Sequence, residues 1–147
     1  MNAPPTLEFP ILAITKAGEA SPIFQPQQFG VANRSLAAGI VGNRVVDSTG
    51  TEYLIKGVRV LGPVKGTILH RLMTLGDPWV RIAPELERVA APESLEGLKK
   101  ALLKNKSLRH NADAGEGSSG SFAEELRATT SLPQIFALLD RYFGFRK

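Results

Sequence analysis

Histidine is the side chain best suited to proton transfer near neutral pH, and this chain has only His70 and His110. His70 lies within an apolar run, where we expect a half-buried strand residue. His110 precedes a Gly- and Ser-rich segment, residues 111–120, which we expect to be a flexible loop and a poor support for a rigid base. Neither histidine is followed at helical spacing by a second one with a glutamate between them, so the zinc-protease pattern is absent.

Paired carboxylates are the other groups that could exchange protons, namely Glu85 with Glu87 and Glu124 with Glu125. Such pairs are common on solvated surfaces, so a surface role is preferred. The chain has no cysteine, no phosphate-binding loop and no dinucleotide-binding glycine fingerprint. Gly117-Ser-Ser-Gly120 lacks the strand that precedes a hydrolase nucleophile elbow. We therefore expect a non-enzymatic protein without metal or cofactor; an enzyme with an unrecognised site is an alternative.

Charge is segregated along the chain. Residues 77–96 contain five acidic and two basic side chains, whereas residues 97–110 contain five basic side chains and no acidic one. The five basic side chains are Lys99, Lys100, Lys104, Lys106 and Arg109. They define an alternative function, a module that binds nucleic acid or phosphate. However, no aromatic residue lies between Trp79 and Phe122 to stack on bases, so we prefer a solvated helix end and do not expect a nucleic-acid partner.

The acidic stretch contains Trp79, the only tryptophan of the chain. The commoner role of such a residue is a core anchor, and the alternative is an interface anchor, because tryptophan is enriched at binding hot spots. The strand-like segment that follows a turn here could form a sheet edge, which offers both side chains and backbone to a protein partner. The candidate partner-binding residues are Asp77, Trp79, Arg81, Glu85 and Glu87.

The clearest structural element is a β-hairpin with arms at Val45–Asp47 and Glu52–Leu61. Its turn begins at Asp47 and ends at Gly50, which supplies the positive φ needed to leave the turn. The apolar residues of the second arm do not keep one parity, which predicts a β-bulge at Gly57. Further strands are predicted at residues 8–15, 22–24, 66–75 and 79–86.

One helix is predicted before the hairpin, and further helices are predicted after the last strand. Residues 26–38 begin with a proline suited to a first turn, and Gly39 suits the left-handed position that closes a helix. Residues 91–106 place three leucines on one stripe. Two further helices are predicted to begin at capping boxes that start with Ser121 and Ser131.

This order of elements predicts an α+β fold: an antiparallel β-sheet or a small, partly closed barrel, with one early helix and a C-terminal group of two to three helices. The 147 residues suit a single domain with a loose tail at residues 1–6. The start of the chain lacks the pattern of a secretory signal, and no apolar run reaches the length of a membrane span. We expect a cytoplasmic protein that makes no membrane contact.

Two segments resemble small bacterial immunity proteins of the polymorphic-toxin and contact-dependent inhibition systems. One is the hairpin VVDSTGTEYLIKGVRVLG, and the other is the helical tail that runs from LEGLKKALLKN to SFAEELRATTSLPQIFALLDRYF. The resemblance implies a non-enzymatic protein that binds a cognate toxin domain and blocks its active site. Immunity proteins against nucleases are often acidic, whereas this chain has a net charge of +4. A nuclease partner would therefore have to contact the acidic stretch at residues 77–96.

Overall fold

A computed structural model describes residues 6–63, 79–114 and 122–143. These ranges contain six strands: β1 (Ile11–Ile14), β2 (Ala20–Ile23), β3 (Val31–Asn33), β4 (Arg44–Asp47), β5 (Glu52–Pro63) and β6 (Trp79–Arg88). The strands form one antiparallel sheet in the order β2-β1-β4-β5-β6-β3, which curls into a half-barrel. The predicted α+β class is therefore confirmed.

The helices of the described ranges lie in two groups. Before the hairpin come α1 (Pro26–Phe29), α2 (Arg34–Ala37) and a 3-10 turn (Ala38–Ile40). After the sheet come α3 (Leu95–Lys104), α4 (Lys106–Ala114), α5 (Phe122–Ala128) and α6 (Leu132–Phe143). No helix within the described part of the chain is both long and apolar enough to cross a bilayer.

The predicted hairpin is confirmed as β4 and β5. Gly50 has φ +88°, as the turn requires, and the Asp47 carboxylate accepts hydrogen bonds from the backbone N–H groups of Thr49 (3.0 Å) and Thr51 (3.1 Å). The pairing of β5 with β6 shifts register between Ile55 and Gly57, so the predicted bulge is present. The strand predicted at 79–86 is confirmed as β6.

Strand pairing divides the side chains between two faces of the sheet. Leu12, Ile14 and Val46 lie on the face that we call the first face, and they are buried against α3–α6. Ile11 and Val45 point to the opposite, second face, where partly buried side chains of the early segments cover them. Because each fully buried Leu or Ile side chain stabilises the fold by about 1.5–3 kcal/mol, both faces hold the early strands in place.

The single helix predicted at residues 26–38 is wrong. The chain instead forms α1, crosses the sheet edge as β3, and resumes as α2. The carbonyl of Gly30 accepts a hydrogen bond from the N–H of Ile82 (2.9 Å), and β3 then pairs with β6. Pairing with a distant strand therefore overrides the helical spacing. Gly39 does not adopt a positive φ but lies in the 3-10 turn.

The helix predicted at residues 91–106 is shorter than expected. It starts after Ser94, whose Oγ accepts a hydrogen bond from the N–H of Gly97 (3.0 Å), and it ends at Lys104. Asn105 separates it from α4: its Oδ1 accepts from the N–H of Leu108 (3.1 Å), while its Nδ2 donates to the carbonyl of Ala20 (3.0 Å). This one side chain caps a helix and ties it to the sheet.

The flexible loop predicted at residues 111–120 is wrong for its first part, because residues 111–114 continue α4. Ala112 is buried in the core, so packing extends the helix past the point where the polar composition suggested a loop. The rest of that loop lies outside the described residues. So do Ser121, the strand predicted at 66–75 with His70, and the first five residues of the predicted tail.

The start of α6 follows the prediction in part. Ser131 Oγ accepts from the N–H of Gln134 (3.4 Å), as an N-cap should. The Gln134 side chain, however, accepts from the N–H of Thr130 (2.7 Å) rather than completing a capping box with Ser131.

Strand β6 has an open edge beyond the short strand β3. Within the described ranges, β3 pairs only with Trp79–Arg81, and the N–H of Ile82 points the same way, towards Gly30. Backbone N–H groups alternate in direction along a strand, so the next group on this side belongs to residue 84. That residue is Pro84, which has no N–H to offer.

Candidate protein-binding face

Four of the five predicted partner-binding residues occupy one face of β6. Trp79, Arg81, Glu85 and Glu87 are all exposed and stand at odd positions, so their side chains point in the same direction. The residues between them, such as Val80 and Ile82, are buried. We call these four residues the β6 face. Asp77 lies outside the described residues.

The β6 face is the part of the first face over which no helix of the described residues packs. The strand register shows that the β6 face and the first face lie on the same side of the sheet. Val46 lies opposite Glu52 of β5. Two residues later, Leu54 points to the same side of β5 and lies opposite Glu87. Helices α3–α6 pack over the β2-β1-β4 part of this face. On β5 and β6 the same face carries exposed charged side chains, including Lys56 and Arg59.

Trp79 is not a core anchor, which was the commoner of the two roles considered for it. The side chain is 40% exposed at the start of β6, beside Asn33 of the edge strand β3. Leu61, in the facing segment of β5, is 49% exposed. With Val60, which is 43% exposed, three large apolar side chains therefore meet solvent at this end of the β5–β6 ladder, whereas isolated exposed apolar residues are ordinary.

Glycines on β5 leave room beside two of the charged residues. Gly57 lies opposite Glu85, and a Cβ built on Gly57 would come within 3.0 Å of Glu85 Oε2. Gly62 lies opposite Arg81, and its Cβ would lie 3.8 Å from an Nη atom of that arginine. Both long side chains therefore lie close over β5, and the face is shallow beside them.

The face carries both acidic and basic side chains, although residues 77–96, which supply Glu85 and Glu87, are mostly acidic in sequence. Lys56 of β5 forms an ion pair with Glu87 (3.5 Å), and both side chains are more than half exposed. Arg59 of β5 lies opposite Ala83, between the levels of Arg81 and Glu85. The bases come from a strand some thirty positions earlier, so the charge count of residues 77–96 could not include them.

A buried carboxylate fixes the end of β6 nearest the helices. The side chain of Glu52 is fully buried; it pairs with Arg44 (3.2 Å) and accepts a hydrogen bond from the N–H of Glu93 (3.0 Å). A cleft of about 580 Å³ adjoins this point, between the β4–β5 turn and the segment that leads to α3. Its lining residues are Thr49, Gly50, Thr51, Glu52, Arg88, Val89, Ala90 and Pro92. Because the Glu52 carboxylate already has partners, it anchors this segment rather than facing the cleft unpaired.

The basic stretch does not form one exposed set. Lys99 is only 5% exposed, and its Nζ donates to Glu96 (3.3 Å) and to the carbonyls of Arg127 (3.0 Å) and Thr129 (2.5 Å). Lys99 therefore belongs neither to the preferred solvated helix end nor to the alternative phosphate-binding face, because its ammonium group is used at the end of α5. Lys104 donates to the carbonyl of Ala17 (2.5 Å). Lys100, Lys106 and Arg109 are exposed on α3 and α4.

The remaining candidate acid–base groups are dispersed. His110 is exposed on α4, in a helix rather than beside a loop. Glu125 of α5 accepts a hydrogen bond from the Tyr142 hydroxyl and pairs with Arg141 (2.5 Å), so it joins two helices. These contacts hold the pKa of Glu125 below its ordinary value, and the hydrogen bond from Tyr142 has the largest effect. Partial desolvation acts in the opposite direction and raises the pKa. Among the described residues, no group of His, Asp and Glu side chains could hold a metal ion.

Sequence signals could have found part of this face. The alternation of Trp79, Arg81, Glu85 and Glu87 with apolar residues was readable, whereas the contributions of Gly57 and Arg59 required the β5–β6 register. The mixed face of β6 is thus the best candidate for a functional surface. Comparisons with protein-family descriptions, with curated proteins and with solved structures find no match to this chain.

Proposed function

We propose that this protein binds another protein through the β6 face, and that it is an immunity protein that neutralises a cognate bacterial toxin. The observation that carries protein binding is the placement of Trp79, Arg81, Glu85 and Glu87 on one uncovered strand face. Tryptophan and arginine are the residue types most enriched at binding hot spots. The toxin as partner rests on the resemblance of the hairpin and the helical tail to immunity proteins.

The surroundings of Trp79 support a protein partner. The 40% exposed indole and the 49% exposed Leu61, at the same end of the β5–β6 ladder, provide apolar area that a partner can bury. Charged residues of both signs follow along β6, and such a pattern favours one orientation of the bound partner over others. Small-molecule sites are usually enclosed, largely apolar cavities, whereas this surface is open and shallow.

The mixed charge revises the expected mode of binding. The acidic stretch alone would steer the protein towards a basic active site, but Lys56 neutralises Glu87, and Arg81 and Arg59 are also present. We therefore propose that contact with the toxin is anchored by Trp79 and Arg81, with Glu85 setting orientation. Long-range steering then contributes little, and the association rate depends only weakly on salt.

The proposal is tested with the proteins encoded beside its gene. Each neighbouring product, or its C-terminal domain, is expressed in a bacterial host under tight control, with and without this chain. The expected result is that one of them arrests growth and that co-expression of this chain restores it. The same pair should form a complex whose dissociation constant is measured by calorimetry.

Variants then locate the contact. Trp79→Ala and Arg81→Ala should each weaken the complex by about 2 kcal/mol, roughly thirtyfold. Lys100→Ala and Lys106→Ala, which are exposed on the helices, are matched controls and should leave affinity unchanged. If no neighbouring product is toxic or bound, the immunity function is wrong. If a complex forms but the controls weaken it more than the β6 variants, the face is wrong.

A further inference from the structure

The charges on β6 are arranged symmetrically about Ala83. Arg81 precedes it by two residues and Glu85 follows it by two, and both point to the same exposed face. Along a strand these positions are about 13 Å apart, too far for the two side chains to pair within one chain. Within the described ranges, neither residue takes part in any of the ion pairs of this protein.

We infer that a second copy of this chain binds to the β6 face, and that the two copies are related by a two-fold axis that passes by Ala83. This axis lies midway between the two stacked sheets and runs perpendicular to β6. It reverses the strand direction in the second copy and places Ala83 of one copy opposite Ala83 of the other. Arg81 of each copy then faces Glu85 of the other, which gives two equivalent ion pairs. An isologous contact of this kind requires a self-complementary surface, and the order Arg81, Ala83, Glu85 provides one.

The neighbouring strand fits the same symmetry. Gly62 lies opposite Arg81 and Gly57 lies opposite Glu85, so the axis brings Gly62 of one copy over Gly57 of the other. Neither position has a side chain of its own, and the Arg81 and Glu85 side chains lie over them instead, so the charged groups meet at the contact between the two faces. At the end of the ladder, the exposed Trp79 faces the pair formed by Glu87 and Lys56 of the second copy, where an indole ring can bind the lysine ammonium group.

One feature limits the strength of this contact. Arg59 lies opposite Ala83 on β5, so the two Arg59 side chains face each other across the axis. Like charges placed together oppose association. The dimer is therefore expected to be weak and reversible, and Arg59→Ala should strengthen it. The inference does not rest on the proposed toxin partner, although a dimer would cover the same face and compete with that partner.

The oligomeric state tests the inference with the purified full chain alone. Sedimentation equilibrium from about 10 µM to about 1 mM should show a concentration-dependent monomer–dimer equilibrium. Arg81→Glu and Glu85→Arg should each weaken the dimer about tenfold or more, because like charges then face each other. The double variant Arg81→Glu/Glu85→Arg restores opposite charges and should dimerise like the unmodified chain. Lys100→Glu is the matched surface control.

Crosslinking tests the position of the axis. The chain has no cysteine, so Ala83→Cys introduces a unique thiol. Stacked sheets lie about 10 Å apart, a gap that a short bismaleimide can span. Ala83→Cys should crosslink to itself, whereas Trp79→Cys should crosslink to Glu87→Cys in a mixture but not to itself. Circular dichroism checks that each variant is folded, and Arg81→Gln replaces Arg81→Glu if the latter is not.

Two results would overturn the inference. A chain that stays monomeric over the whole concentration range forms no such dimer. A dimer that the single charge reversals leave unchanged, or that the double variant does not restore, uses another surface. Failure of the toxin experiments leaves these outcomes unaffected, because no second protein is present.

Discussion

The Nζ atom of Lys99 lies 2.5 Å from the carbonyl oxygen of Thr129, and it also donates to the carbonyl of Arg127 at 3.0 Å. These carbonyls lie at the C-terminal end of α5, where backbone acceptors have no partners within the helix and the helix dipole is negative. A buried ammonium group from α3 therefore completes the end of α5. Lys99, which the sequence predicts to lie on a solvated helix end, thus connects two helices through buried hydrogen bonds.

Lys99→Met should destabilise the protein by about 1–3 kcal/mol, because methionine keeps the apolar stem but leaves buried carbonyls without their charged donor. The free energy of unfolding is measured by urea denaturation. Lys100→Met, on the exposed neighbour, should change it by less than about 0.5 kcal/mol. Equal losses in the two variants would contradict the role assigned to Lys99.

Glu52→Gln should cost about 2 kcal/mol, because the buried carboxylate pairs with Arg44 and accepts from the N–H of Glu93. The same change at Glu87, whose ion pair with Lys56 is exposed on both sides, should cost less than about 0.5 kcal/mol. Thermal or urea unfolding compares the two. Limited proteolysis between residues 89 and 93 should also accelerate in Glu52→Gln, and an unchanged cleavage rate would argue against this anchor.

Gly50→Ala and Gly39→Ala should have opposite effects. Gly50 has φ +88°, which an L side chain adopts only with strain of about 1–2 kcal/mol, although no atom blocks its Cβ closely. Gly39 has ordinary φ and open space around it, so alanine should be neutral or stabilise by about 0.4–1 kcal/mol. Unfolding midpoints decide, and a loss at Gly39 as large as that at Gly50 would refute the assigned backbone conformations.

The pH dependence of stability should include a contribution from Glu125. Its pKa is lowered in the folded protein by the Tyr142 hydroxyl and by Arg141, so the stabilisation is present at neutral pH and is lost as pH falls through the lowered value. Glu125→Gln should therefore have a lower melting temperature than the unmodified chain at neutral pH, and the difference should shrink as the pH falls through the lowered pKa of Glu125. Asp140→Asn is the exposed control. A difference that persists in acid would show that the effect is not linked to proton binding.

Sequence patterns were most informative where local chemistry decides the structure. The turn from Asp47 to Gly50, the bulge at Gly57 and the strand that begins at Trp79 all follow from residue types within a few positions. The same patterns failed for residues 26–38, because the helical spacing there competes with pairing between β3 and β6, about fifty positions apart along the chain.

The candidate surface was predicted in the same uneven way. The acidic stretch and the turn before Trp79 indicated these residues, but the exposure of Trp79 depends on what covers the strand, which no local pattern records. The charge of the face depends on Lys56 and Arg59, which reach it only through the β5–β6 register. The burial of Lys99 likewise depends on α5, a helix that begins more than twenty positions later.

Pro84 affects how recognition by this protein can diversify. Because proline offers no N–H, a second strand that paired along the edge of β6 left open by the described residues would lack one hydrogen bond of its ladder. A partner bound on the β6 face instead reads side chains, not the backbone pattern shared by all strands. Recognition built on exposed side chains can change by single substitutions while the buried residues between them hold the scaffold constant, so close variants of one fold could discriminate among different partners.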